Sequence, residues 1–219
     1  MVVFERFNYK DKKTWLKGRL RGIGGSEASA CLNLNPYKSQ RDLVEYKLKI
    51  KKEVFNGDPE IVEYGSKAEE HIRELWKLEN KKKYEVYHKE NEILQNKEIP
   101  FLIGSLDGEI TEKDTKRKGV LEIKTARINS AVTSQKWKGG VPDNYYIQVL
   151  HYLLVTNYDF AIIVAELRYE IDGKVWFKRV EYKIERSEVE EDLKELLEAE
   201  QKTWDYVEKK EVPNLQITF

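Results

Sequence analysis

Cysteine is nearly absent from this 219-residue chain: Cys31 stands alone. That excludes a disulfide framework, a cysteine-based zinc site and a cysteine-ligated iron–sulfur cluster. Histidine is scarce too. His71, His88 and His151 have no metal-ligand spacing and are read as structural. No stretch reaches the ~18–20 apolar residues of a membrane span, and the start M-V-V-F-E-R-F-N carries no apolar run behind a basic segment. A soluble, cytoplasmic protein without a membrane partner is therefore expected. Net charge is missing as well: 39 basic and 39 acidic residues cancel, so attraction to a polyanion must rest on local patches. Internal repeats and Pro/Gly/Ser linkers are absent, and one domain over residues 1–219 is the expectation.

What is present suits a packed core: 40% of residues are hydrophobic and 11% aromatic. Residues 11–22 read as a basic helical approach. In G-I-G-G-S-E-A-S-A-C-L the glycines make a sharp turn, and Ser26 is placed to cap a short helix. Asn35-Pro36 ends it. Ser39 opens the next helix, with Leu43, Tyr46 and Ile50 inward. Asp58-Pro59 begins a longer one, whose buried stripe is Val62, Ala68 or Glu69, Ile72 and Leu75–Trp76. Strands are expected at Tyr84–His88 and Glu92–Leu94, and a loop over residues 128–142. Asp143 then caps a helix to Asn157, with Ile147, Leu150, His151, Leu154 and Val155 inward. Strands Phe160–Tyr169 and Lys174–Ile184 turn at Asp172-Gly173. Ser187 and Glu190 form a capping box for a last helix, about 187–209. The order predicts an α/β or α+β fold, a mixed sheet with helices packed on it.

Residues 101–125 carry the chemistry: F-L-I-G-S-L-D-G-E-I, a charged turn, then G-V-L-E-I-K-T. They read as two apolar strands, with Asp107 closing the first. Strand side chains alternate faces, so Glu122 and Lys124 point one way and Leu121 and Ile123 the other. An unpartnered charge on such a strand costs roughly several kcal/mol, so an ion pair or a metal must compensate. Carboxylates on two paired strands can converge on one divalent cation, and oxygen ligands suit Mg²⁺ or Mn²⁺. In isolation, a surface ion pair is the better account of E-x-K in so charged a chain.

S-L-D-G, then L-E-I-K-T starting fourteen residues after the aspartate, resembles the D…E-x-K signature of the PD-(D/E)xK nuclease superfamily. With R-L-R-G-I-G-G-S-E-A-S at 19–29, G-S-K-A-E at 65–69 and Y-Y-I-Q-V-L-H-Y at 145–152, the chain resembles the YqaJ-type viral recombinases, the phage lambda exonuclease-like family. The resemblance runs from Trp15 to about Asn157. It implies a restriction-endonuclease-like core and a Mg²⁺-dependent DNA exonuclease, with Mn²⁺ able to substitute. Such an enzyme digests duplex DNA from its ends 5′ to 3′, releases 5′-phosphomonoesters and leaves 3′ tails for recombination. Its implied partners are double-stranded DNA with a free end, a single-strand-annealing recombinase and further copies of itself in a trimer. An endonuclease of the same superfamily and a catalytically inactive DNA-binding relative are the alternatives.

The resemblance also implies residue roles. Asp107, Glu122 and the backbone carbonyl of Ile123 would hold the metal, and Glu69 would approach it from a helix, where Glu70 is the better candidate for a solvated acid. Lys124 would position the attacking water, and Gln148 would orient the site. Arg19 and Ser26 would hold a terminal 5′-phosphate, since guanidinium pairs bidentately with phosphate and a glycine-rich helix entry offers N–H groups to an anion. Arg21 rivals Arg19. For DNA contact, Trp137 between Lys136 and Lys138 would stack on a base. Tyr145 would lie near the DNA or in the core, and Lys113–Lys118 contributes four basic residues and one acidic. Lys47–Lys52 and Lys81–Lys83 read as solvation of helix ends.

Overall fold

Elements follow one another in a strand–helix–strand–helix order in the structure, a computed structural model that describes residues 3–52, 58–171 and 173–214. β1 (Phe4–Asn8), α1 (Lys12–Gly18), a 3-10 turn at Arg19–Arg21, α2 (Gly25–Cys31), α3 (Gln40–Lys47) and α4 (Pro59–Asn80) come first. β2 (Tyr84–Tyr87), β3 (Glu92–Asn96), β4 (Ile103–Gly104), β5 (Gly108–Glu112) and β6 (Lys118–Ile128) follow. Then come α5 (Ala131–Lys138), α6 (Asp143–Thr156), β7 (Phe160–Ile171), β8 (Lys174–Glu185) and α7 (Glu190–Lys209). This is the mixed α/β architecture expected, with helices flanking a mixed central sheet. None of the described helices is long and apolar enough to cross a membrane.

The strands form two sheets. A three-stranded sheet has the order β1-β3-β4, and a five-stranded sheet the order β2-β5-β6-β7-β8. Within the larger sheet only β6 and β7 run parallel. Parallel neighbours cannot be joined by a tight turn. The chain between Ile128 and Phe160 therefore crosses over as α5 and α6. β6 is central, and Val120, Leu121 and Ile123 are buried, as a strand covered on both faces requires.

The two faces have separate cores. On one, Val120 and Ile163 pack with α2, α6 and α7 through Ala28, Leu150, Leu153, Leu193 and Leu196. On the other, Leu121, Ile123, Ile162 and Val164 pack under Ile72 and Trp76 of α4. α7 is thus a core element: Trp204 stacks on Phe101 with ring centroids 5.8 Å apart, and Glu200 pairs with His151 of α6 at 2.6 Å inside the core. Burial alone would lower the His151 pKa, but Glu200 holds it above its ordinary value.

Several expectations need correction. The apolar run at 101–110 is two short strands in different sheets, and Asp107 lies between them rather than closing one. Residues 131–138 form a helix capped by Ser130, whose hydroxyl accepts from the Thr133 N–H at 3.1 Å. Ser26 lies inside the first turn of α2, whose cap is Gly24. Asp143 is the first residue of α6, and the cap is Pro142. A 3-10 turn at Arg186–Glu188 replaces the capping box before α7. Ile50, Val62 and Leu75 are exposed, because α3 stops short of Ile50 and α4 buries only a narrow stripe. The hairpin joining β7 and β8 forms as expected with Gly173 at φ 71°; Asp172 lies outside the described residues.

Candidate active site

The β5–β6 register places Gly108 opposite Leu121, which brings Asp107, one residue before β5, opposite Glu122. Asp107 Oδ2 accepts a hydrogen bond from the Ile123 N–H at 2.8 Å, so the carboxylate is aimed along β6. Glu122 is 1% exposed. Its Oε1 accepts from Lys124 Nζ at 2.5 Å and from Gln148 Nε2 at 2.6 Å. Its Oε2 is buried with no hydrogen-bond partner among the described residues. Lys124 is therefore both the ion-pair partner and the same-face neighbour that period-two alternation requires. Its ammonium also lies 5.0 Å from the Tyr145 ring centroid.

α4 brings a third carboxylate. Glu69 Oε1 accepts from Arg73 Nη1 at 3.1 Å, and the same nitrogen donates to the Asp107 backbone carbonyl at 3.0 Å. Arg73 is buried and so ties the helix to the loop before β5. Burial, with Glu122 beside it, pushes the Asp107 carboxyl up to about 7. Burial also holds Glu122 above the usual carboxylate range. Burial and then Asp107 raise Glu69. Three carboxyls raised together mark a cluster in which burial outweighs the neutralising charge of Lys124 and Arg73.

A cleft of about 460 Å³ joins this cluster to the N-terminal turn. Its walls include Arg19, Ser26, Glu69, Asp107, Gln148 and Tyr152. Arg19 donates to Ser26 Oγ at 2.8 Å and lies over the Trp15 ring at 5.1 Å. Arg21 instead covers Phe7 at 4.6 Å and does not line the cleft. The Gly24 N–H is occupied rather than open to an anion, because Glu27 Oε2 accepts it at 2.9 Å. The Arg19 and Ser26 side chains of this turn line the cleft. His88 lines the same cleft, with Nδ1 buried and unpartnered among the described residues.

The region expected to touch DNA is arranged differently. Trp137 is buried, packing beside Tyr145 at 5.7 Å and Tyr182 at 6.2 Å. Its carbonyl accepts from the Tyr182 hydroxyl at 2.6 Å. The indole is a core group and is not free to stack on a base. Lys136 and Lys138 remain exposed on α5. In Lys113–Lys118 the charge is partly neutralised, since Arg117 pairs with Glu185 and Glu112. Lys47 is not solvating a helix end either: it is buried against Glu27.

Sequence reasoning passed over three residues of this neighbourhood, Arg73, Tyr152 and Glu27, and misread a fourth, Lys47. Arg73 and Tyr152 stand four residues after Glu69 and Gln148, on the same helical faces, and that spacing was their available signal. Glu27 sits three residues after its cap, the spacing of a capping acid.

The residues present were tested for fit to a divalent cation. Among the described residues, no group of three or more His, Cys, Asp or Glu side chains is arranged to hold a metal ion. Two carboxylates and a main-chain carbonyl do not need such a group. Glu122 Oε2, buried and unpartnered beside Asp107, is the lone pair a cation would satisfy. The donor set is all oxygen, suited to Mg²⁺ or Mn²⁺.

A mixed sheet carrying an aspartate and an E-x-K strand, with helices on both faces, is a restriction-endonuclease-like core. The chain belongs to the family of the YqaJ-like viral recombinase domain, whose profile matches residues 14–159, and through it to the PD-(D/E)xK nuclease superfamily. It is 30% identical over 157 residues to the uncharacterized protein YqaJ of Bacillus subtilis (strain 168). That match covers 69% of this chain and 46% of the relative, so the chain spans less than half the length of that protein. Among solved structures it is similar to the alkaline exonuclease LHK-Exo from Laribacter hongkongensis, at 18% identity and TM-score 0.56. It is equally similar to LHK-Exo in complex with dAMP, at 17% identity and TM-score 0.56. Each match covers 91% of this chain and 97% of the other. At these identities the likeness is one of fold.

Proposed function

We propose that this protein is a divalent-metal-dependent DNA nuclease that acts from duplex ends. In this reading it digests 5′ to 3′, releases 5′-phosphomonoesters and leaves 3′ single-stranded tails for recombination. The observation that carries the reading is the buried Asp107–Glu122 pair with the unpartnered Glu122 Oε2, of which Asp107 lines the same cleft as Arg19 and Ser26. Family membership and the exonuclease fold support the nuclease class. The cleft supports the preference for ends, because it puts a guanidinium and a hydroxyl beside the carboxylates.

Asp107, Glu122 and the Ile123 carbonyl would hold Mg²⁺, with Glu69 approaching from α4. When bound, the cation supplies a Lewis acid that acidifies water and neutralises charge on the phosphate. The chain's own residues divide the remaining work. Lys124 holds the water that attacks phosphorus and offsets charge gathering there. Gln148 fixes the Glu122 rotamer through its amide. Arg19 and Ser26 hold the terminal phosphate. Duplex DNA with a free end is the substrate; a single-strand-annealing protein and further copies of this chain in a trimer are the proposed partners.

The test is end-labelled linear duplex incubated with Mg²⁺, following which strand shortens. Loss of the 5′-terminated strand alone supports the reading. Cutting of a closed circle would point instead to an endonuclease of the same superfamily. A second reading, an inactive nuclease-fold DNA-binding protein, is favoured by one observation: no three-ligand cluster exists among the described residues. Binding of DNA ends with no cutting under any divalent metal would establish it.

A further inference from the structure

We infer that Arg6, on the far strand β1, is a positioning residue for the proposed cation site. It closes a ring of contacts around the short crossing that carries Asp107, and so fixes where that carboxylate stands beside Glu122. For the cation, the inference rests on the reading just proposed. Asp107 belongs to neither sheet: Ser105, Leu106 and Asp107 lead from β4 in the smaller sheet to β5 in the larger one. A segment outside both ladders is placed by its side contacts and by how the two sheets are held together. Both ends of this crossing are tied to one residue, Glu92 of β3. Upstream, the Ser105 hydroxyl donates to the Glu92 carbonyl at 2.6 Å and accepts from Trp15 Nε1 at 2.9 Å. Downstream, Arg6 grips Glu109, two residues past Asp107, through both carboxylate oxygens: Nη1 donates to Oε1 at 2.6 Å and Nη2 to Oε2 at 2.9 Å. The same Nη1 donates to Glu92 Oε2 at 2.7 Å.

A guanidinium that holds one carboxylate by two parallel hydrogen bonds fixes orientation as well as distance. The guanidinium is itself held, 5.2 Å from the ring centroids of both Phe4 and Tyr87. Glu109 also accepts from the Tyr158 hydroxyl. Glu92 is buried and Glu109 half-buried. Without Arg6, two poorly solvated carboxylates would repel each other across the join between the sheets. The crossing would then shift, and Asp107 with it, while Glu122 stays on β6. Misplacing a functional group by about 1 Å is enough to cost a site roughly 10²-fold.

Charge and position have opposite signs here. Arg6→Met removes a positive charge from the neighbourhood of an acidic site, which by Coulomb attraction alone would tighten cation binding. Loss of position loosens it. Mn²⁺ binding is measured by electron paramagnetic resonance, without DNA. It is expected to weaken about tenfold or more in Arg6→Met, the size of effect that supporting groups have on metal sites. Arg6→Lys should weaken it too, because a single ammonium keeps the charge but cannot hold both oxygens in a fork. Amide exchange of Ile123, whose N–H donates to Asp107 Oδ2, is followed in the cation-free protein. In both variants it should quicken about tenfold relative to the amides of β7. Arg117→Met is the control. The Arg117 side chain is 37% exposed against 35% for Arg6, and it joins Glu112 and Glu185 within the larger sheet alone. It should leave both readouts unchanged. If Arg6→Met does not fold, Arg6→Lys carries the test. A folded Arg6 variant with wild-type or tighter Mn²⁺ binding, or with wild-type Ile123 exchange, overturns the inference, as does an equal loss in Arg117→Met. A wild type that binds no Mn²⁺ defeats the cation reading alone; Ile123 exchange then decides whether Arg6 places Asp107.

Discussion

Lys47 and Glu27 meet at 2.7 Å with side chains 0% and 3% exposed, an ion pair sealed beneath the turn that carries Ser26. Burial alone would raise the Glu27 carboxyl, yet Lys47 and Arg19 hold it down at about 2. Removing one partner leaves an uncompensated buried charge, which costs roughly 3–5 kcal/mol. Lys47→Met should therefore lower unfolding stability by about that amount. Lys47→Met combined with Glu27→Gln should recover part of the loss, because no lone charge remains. Urea denaturation of the two single variants and the double variant checks this.

Glu122→Gln and Lys124→Ala should each abolish Mg²⁺-dependent digestion, by about 10²-fold or more, while folding persists. Undiminished activity in either variant, with an unchanged circular-dichroism spectrum, would remove these residues from the chemistry.

Asp107 predicts a dependence on pH. Its carboxyl sits near 7 in the folded chain against an ordinary 3.8. Between those values the folded state holds a proton that the unfolded state has released. Stability of the cation-free protein should therefore fall as pH rises through this window. Asp107→Asn should flatten that part of the melting-temperature profile. Mg²⁺ should raise the wild-type melting temperature more at pH 8 than at pH 5, because a protonated Asp107 is a poor ligand. At a concentration of one hundred times Kd the cation is worth about 2.7 kcal/mol.

Trp137→Ala should destabilise the protein by roughly 3–5 kcal/mol, as removal of a buried tryptophan does. DNA affinity per folded molecule should be unaltered, since the indole faces Tyr145 and Tyr182. A loss of affinity without a loss of stability would restore the stacking role that the neighbouring lysines suggested.

Local pattern made some of this visible in the sequence. Period-two alternation put Glu122 and Lys124 on one face, and Asp58-Pro59 and Ser39 marked real helix starts. The Arg19–Arg21 choice could not be made from sequence, because both lie in one 3-10 turn and only tertiary packing sends Arg21 to Phe7. Lys47 was misread for a related reason: its partner is twenty residues away, and nothing local marks it as buried. Trp137 was misread because flanking lysines and glycines suggest exposure. On a helix, its neighbours point away and the indole alone turns inward. The break between β4 and β5 is hidden because F-L-I-G-S-L-D-G stays apolar while the chain changes sheets.

The parallel pairing of β6 with β7 has a kinetic consequence. Asp107 and Glu122 meet in a local hairpin, which forms early. Gln148 reaches Glu122 only from the crossover that must close before β7 can pair. Closing such long connections slows folding. Upon dilution from denaturant, recovery of helical signal should precede recovery of the cleft, and the Gln148–Glu122 contact should be the last part of the candidate site to form.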